Sequence, residues 1–215
     1  MYLPEYFEER RNPVLHQLVA DSPLGTLVTL GSSGLAANHI PFLLEANVGP
    51  HGRLIGHVAR KNDIWHDDNG DVETLVIFQN ASAYISPNWY VTKQETHEVV
   101  PTYNYAVVHV YGPLIIHEDA KWLRGLVGKL TKAMESSQEI PWKMSDAPPD
   151  FINDQLGNIV GIEIPVSRII GKWKTSQNRP IPDRLGAISA LRSSVGPGDV
   201  EMAELIQKTL GPASS

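Results

Sequence analysis

The chain has 215 residues, of which 42% are hydrophobic, and a formal charge of −6. That is enough apolar matter for a packed core and too much for a disordered chain. The acidic balance argues against nucleic acid as the default partner, since such binding rests on Lys and Arg neutralising phosphates.

There is no cysteine, which excludes disulfides, zinc-thiolate sites, Fe–S clusters and thiol nucleophiles. No apolar run approaches bilayer length. Met1-Tyr2-Leu3-Pro4-Glu5 lacks the charged-then-apolar order of a secretory leader. A cytoplasmic location with no membrane partner is the expectation.

Taken in chain order, residues 12–21 predict a short helix with Asn12 as cap and Pro13 at its first position. Strands are predicted over 25–30, 35–44 and 54–58, with Gly31-Ser32-Ser33-Gly34 as a hairpin turn. Residues 62–67 predict a helical turn capped by Asn62. Segments 73–79, 82–86 and 99–116 read as β. Asp119 caps a helix to about 138, and 151–156 form a second, stopped by Gly157. A strand over 158–174, bent at Pro165, precedes helices over 184–192 and 199–210. Strands dominate the first half and helices gather later. That order favours a mainly β, α+β fold: an antiparallel barrel with peripheral and C-terminal helices. The expected organisation is a domain over 1–180 and a helical appendage over 181–215. No G-x-G-x-x-G fingerprint, P-loop or G-x-S-x-G elbow is present.

Two segments hold more chemistry than packing requires. Val99 to Gly112 reads V-V-P-T-Y-N-Y-A-V-V-H-V-Y-G, and Gly171 to Arg179 reads G-K-W-K-T-S-Q-N-R. Their polar positions suit a planar, heteroatom-edged ligand with an anionic tail. From Ile164 to Pro182 there are four basic residues and no acidic one, enough for one phosphate and small for a DNA duplex.

These segments, with N-H-I-P-F-L-L (38–44), G-H-V-A-R-K-N (56–62) and Y-I-S-P-N-W-Y (84–90), occur together and in order. The chain thereby resembles the PaiB-like family of FMN-binding split-barrel proteins, often described as negative transcriptional regulators. The match runs from Tyr2 to about Leu191. Tyr103 stands where the family usually has Trp, and Thr175 where it usually has Leu. The resemblance implies a six-stranded split barrel that dimerises, with FMN at the subunit interface, and a regulatory role.

FMN needs an anion site, a flat slot and hydrogen bonds to its pyrimidine edge. Arg60 and Lys61, just ahead of the Asn62 cap, suit the phosphate, and Lys93, Lys174 and Arg179 are further cations for it. Trp89, Tyr90, Tyr103 and Tyr105 are the aromatic candidates, each also explicable by packing. Strand alternation puts Thr102 and Asn104 on one face, where an amide can both donate and accept. Ser176, Gln177 and Asn178 complete a polar cap or form a plain exit loop. His39 and His57 are candidates for ring-facing or barrel positions. The eight histidines show no i, i+4 ligand pattern, so no metal is expected. A triad of Ser86, His57 and Asp63 lacks any visible oxyanion hole.

Three functions fit: a flavin-binding module of the regulator type, a flavin-dependent oxidoreductase using NAD(P)H, and a haem-binding or haem-degrading barrel. The C-terminal helices carry three basic and four acidic residues from Pro180 onward. That balance predicts a covering hairpin with no direct nucleic-acid binding.

Overall fold

The computed structural model describes residues 1–66 and 72–211. Asp67, the end of the expected 62–67 turn, lies outside the described residues, as do 212–215 of the expected appendage. In chain order the elements are β1 (Glu8–Glu9), α1 (Asn12–Asp21), β2 (Leu24–Gly31), β3 (Gly34–Pro41), β4 (Leu43–Glu45) and β5 (Arg53–Ala59). There follow β6 (Thr74–Ile85), α2 (Thr92–Thr96), β7 (Thr102–Gly112), β8 (Ile115–His117), α3 (Ala120–Met134) and α4 (Pro149–Gly157). The chain ends with β9 (Ile159–Pro165), β10 (Arg168–Lys174), α5 (Ile181–Arg192) and α6 (Asp199–Lys208).

The pairs β1–β10, β2–β3, β2–β6, β4–β5, β5–β9 and β8–β9 are antiparallel, and helices accompany the sheets, which makes the class α+β. Several expected elements divide. The strand predicted over 158–174 is two, because Pro165 has no N–H with which to continue a ladder; β10 restarts at Arg168. The strand predicted over 35–44 also splits, at Phe42. The two β segments predicted over 73–86 are instead one, β6. The helix predicted to about 138 ends at Met134 and continues as a 3-10 turn over Glu135–Ser137. The two-residue β1 and the five-residue α2 are too short to leave a periodic signal.

The chain forms two compact units, residues 1–18, 79–108 and 170–215 in the first and 19–78 and 109–169 in the second. In the second, a four-stranded sheet runs β4-β5-β9-β8. Asp119 caps α3 by accepting from the Trp122 N–H at 2.8 Å. One stripe of α3 then packs Leu126 and Leu130 against Ile55, and Leu123 against Ile152 and Leu156 of α4. His57 and His117 both pair with Gly161 in adjacent strands. A Cβ on Gly161 would fall 2.2 Å from the Trp122 ring, and that ring stacks on His117 at 3.9 Å and 11°. In the same unit β2 pairs with both β3 and β6. β3 ends its sheet and is open to solvent along most of its length, with Leu35 78% exposed.

In the first unit, β1 pairs with β10 through Glu8–Lys172 and Glu9–Gly171. Gly171 is required there, since a Cβ would lie 2.1 Å from the Leu15 side chain. Alternate residues of β6, Ala81, Ala83 and Ile85, form a core with Tyr90, with Ala187, Ile188 and Leu191 of α5, and with Met202, Ala203 and Ile206 of α6. The small alanines let the two helices approach the strand closely. Helices α5 and α6 are therefore the wall of this core, grouped with a strand from the middle of the chain.

Candidate functional site

A pocket of about 150 Å³ opens in the first unit, lined by Phe7, Tyr90, Val100, Pro101, Thr102, Asn104, Lys174, Ser176, Asn178 and Arg179. None of these lining residues is acidic. β7 supplies Thr102 and Asn104, two residues apart and hence on one face. β10 ends at Lys174, and the loop that follows turns back to deliver Ser176, Asn178 and Arg179.

That loop is tightly bonded to itself. The Gln177 side chain accepts from the Thr175 N–H at 2.8 Å and donates to the Trp173 carbonyl at 2.5 Å. The Arg179 N–H donates to the Ser176 carbonyl at 2.9 Å. These bonds turn the chain so sharply that Ser176 takes φ = 63°, a left-handed conformation few non-glycine residues adopt. Asn104 is 1% exposed and donates to Ser176 Oγ at 2.8 Å. Its amide is thus fixed at the pocket wall.

Two cations and a phenol complete the wall. Lys174 donates to Thr102 Oγ1. Burial pushes the pKa of its ammonium below the ordinary lysine value, an effect partly opposed by Tyr105. The Arg179 guanidinium lies 5.0 Å from the centre of the Tyr90 ring. Tyr90 is 2% exposed, and its hydroxyl is buried without a well-aligned hydrogen-bond partner among the described residues. Burial raises the phenol's pKa above 10, with Arg179 and Ser176 close enough to offset part of that rise. It is therefore a neutral donor across the physiological range.

Other candidates of this unit lie outside the pocket. Gln177 supports the loop beneath it. Trp89 packs on the α5–α6 core, and Lys93 donates to Asn88. Tyr103 is 59% exposed and meets Tyr84 edge-on. Phe7, Val100 and Pro101 line the pocket without having been expected there; apolar residues carry no local mark of such a role.

In the second unit, Arg60 is already engaged. Its Nε donates to the Gly157 carbonyl at 2.9 Å, its Nη2 to the Ile159 carbonyl at 3.1 Å, and its Nη1 to Glu118 at 2.6 Å. The guanidinium closes the α4–β9 junction, which a sequence-local reading of G-H-V-A-R-K-N cannot show. Asn62 does cap the 3-10 turn Asp63–Trp65, accepting from the Ile64 N–H at 3.1 Å, and donates to Asn38 at 2.7 Å. Lys61 and His39 are exposed. His57 is half-buried, with Nδ1 buried and unpartnered among the described residues, and burial pushes its pKa down. Among the described residues no cluster of three or more His, Asp or Glu could hold a metal, and no helix is long and apolar enough to cross a membrane.

The pocket's chemistry is that of anion recognition: two cations, a neutral phenol, a fixed amide and two hydroxyls. A phosphate tail such as FMN carries fits this donor set. At about 150 Å³ the pocket is smaller than the roughly 300–1,000 Å³ of sites that enclose a drug-sized molecule; its size suits a small anionic group rather than a fused ring system. A larger pocket of about 410 Å³ in the second unit has three cations, Arg60, Lys121 and Arg124, and the acid Glu118 in its lining. Arg60 is bonded to that Glu118 and Arg124 to Asn153.

A family model described as a "Putative FMN-binding domain" matches residues 1–168. The protease synthase and sporulation protein PAI 2 of Bacillus subtilis is 32% identical over 210 residues, covering 98% of each chain. An uncharacterised protein of Emericella nidulans is 34% identical over 228 residues, covering 90% of this chain and 91% of its own. Among solved structures, the flavocytochrome Anf3 of Azotobacter vinelandii matches with a TM-score of 0.60 at 9% identity, over 80% of this chain and 72% of its own. At that identity the likeness bears on fold alone. Together with the antiparallel strands and the order of the five motifs, these matches show that the chain belongs to the PaiB-like family of FMN-binding split-barrel proteins.

Proposed function

We propose that this protein binds FMN as a homodimer and that Lys174 and Arg179 hold the flavin's phosphate. The acid-free pocket carries the reading: two cations, neither paired with a carboxylate in it, stand beside a buried phenol that has no aligned partner among the described residues. Charge-assisted hydrogen bonds to phosphate are among the strongest a protein makes. Arg60, favoured by its position in the sequence, is taken up by Gly157, Ile159 and Glu118. When bound, FMN supplies hydride and electron transfer; the chain's own groups bind and orient its tail.

Dimerisation is supported by β3, an end strand whose exposed residues include Leu35, Ala36, Ala37 and His39. An open edge of that length ordinarily finds a partner. The regulator reading draws support from the name of the Bacillus relative, and the acidic charge points to an indirect effect on transcription rather than duplex binding. The deciding experiment compares FMN with riboflavin by quenching of flavin fluorescence. FMN is expected to bind at least tenfold more tightly, the gain from one charge-assisted bond of about 1.5 kcal/mol or more. Equal affinities would remove the phosphate pocket.

A further inference from the structure

Tyr90 stands at the joint between two short turns. The first is Pro87–Trp89, capped by Ser86, and the second is α2. Neither is long enough to hold its own conformation in water. What fixes them is α5, at two points one turn apart. At the first, Asp183, 0% exposed, accepts from the Thr92 N–H at 3.0 Å and the Thr92 hydroxyl at 2.7 Å. At the second, Gly186 lets the helix run directly against the Trp89 carbonyl; a Cβ there would sit 2.0 Å from that oxygen. Residues i and i+3 share one face of a helix, so α5 grips the chain on both sides of Tyr90. The same helix begins two residues after Arg179, with the Arg184 N–H bonded to the Pro180 carbonyl at 3.2 Å.

A buried carboxylate is costly unless its hydrogen bonds are satisfied. Here both carboxylate oxygens are used to hold one threonine, and the phenol two residues before it has no well-aligned partner among the described residues at the pocket wall. We infer that Asp183 is a positioning residue for the ligand: through Thr92 it holds the Tyr90 hydroxyl where it donates to an anionic oxygen of the bound tail. This rests on the phosphate reading of the pocket. The phenol is a neutral donor, so it adds a hydrogen bond and selects for an acceptor, while Lys174 and Arg179 supply the charge.

The test is the ratio of FMN to riboflavin affinity in Tyr90→Phe, Asp183→Asn, Thr92→Val, Thr92→Ser and the double variant Tyr90→Phe/Asp183→Asn, each checked by thermal unfolding. Tyr90→Phe is expected to lower the ratio roughly tenfold, the loss of one hydrogen bond to a charged group. Asp183→Asn and Thr92→Val lower it severalfold with riboflavin affinity unchanged, and Thr92→Ser restores it. The double variant falls no further than Tyr90→Phe alone, because the two residues act as one unit. If Asp183→Asn does not fold, the Thr92 pair, with Tyr90→Phe/Thr92→Val as the double variant, decides alone. Additive losses, or a lowered melting temperature with the ratio intact, would overturn the positioning role. A wild-type protein that does not discriminate FMN from riboflavin overturns the phosphate reading itself, and this inference with it.

Discussion

Asn104 Nδ2 donates to Ser176 Oγ at 2.8 Å, and the serine that accepts it holds a left-handed backbone at φ = 63°. One residue carries both a strain and a buried polar bond. Ser176→Ala keeps the strain and strands the Asn104 amide, at a cost of about 1–3 kcal/mol. Ser176→Gly strands the same amide but relieves the backbone by about 1 kcal/mol. Glycine is therefore expected to be the less damaging of the two in urea unfolding. An alanine variant as stable as the glycine one would mean that the loop relaxes freely.

Arg60 and Arg179 separate support from recognition. Arg60→Met removes the bonds to Gly157, Ile159 and Glu118. It should lower stability by about 1–3 kcal/mol while leaving the preference for FMN over riboflavin intact. Arg179→Met should do the reverse, with little loss of stability and a preference cut at least tenfold, following the about 1.5–3 kcal/mol of a hydrogen bond to a charged group. Titration of both ligands against both variants reads this directly. A preference that collapses in Arg60→Met instead would return the phosphate to the residue chosen from sequence.

What was legible in the sequence was local. The Asp119 cap is written in neighbouring residues, as is the Asn62 cap. The shared face of Thr102 and Asn104 follows from strand alternation, and the pocket contains both. What was not legible was set by distant partners. Arg60 looks like a phosphate ligand until Gly157 and Ile159, 97 and 99 residues away, take its donors. Asp183 stands just ahead of the helix predicted over 184–192 and falls in the first turn of α5, where the dipole alone would explain it, and nothing nearby announces Thr92, 91 residues earlier. Gly161 and Gly171 look like interruptions of strands and are in fact the spaces into which Trp122 and Leu15 pack.

Thr175 is the departure from the family's usual leucine, and the structure shows its consequence. The side chain is 0% exposed and its hydroxyl is buried without a partner among the described residues. An unmade hydrogen bond of this kind costs about 1–3 kcal/mol, whereas the methyl of valine fills nearly the same space. Thr175→Val is expected to stabilise the protein by about 1 kcal/mol or more, seen as a higher urea midpoint with an unchanged slope. A destabilised valine variant would show that the hydroxyl has a bonded water.

Lys174 gives the site a pH dependence of known sign. Burial places its folded-state pKa below the ordinary 10.5. Between that lowered value and 10.5 the unfolded chain keeps the proton and the folded one does not, so the stability of the free protein rises with pH across this window. Ligand binding runs the other way. The phosphate is favoured by the ammonium and not by the amine, so the preference for FMN over riboflavin should fall as pH rises through the Lys174 pKa, with riboflavin affinity nearly flat. Lys174→Met should begin with a smaller preference and lose little more between about pH 7 and about pH 10. The measurement is the affinity ratio for wild type and Lys174→Met across that range. A decline of the same size in both would assign the titration to another group and leave Lys174 without a part in holding the phosphate.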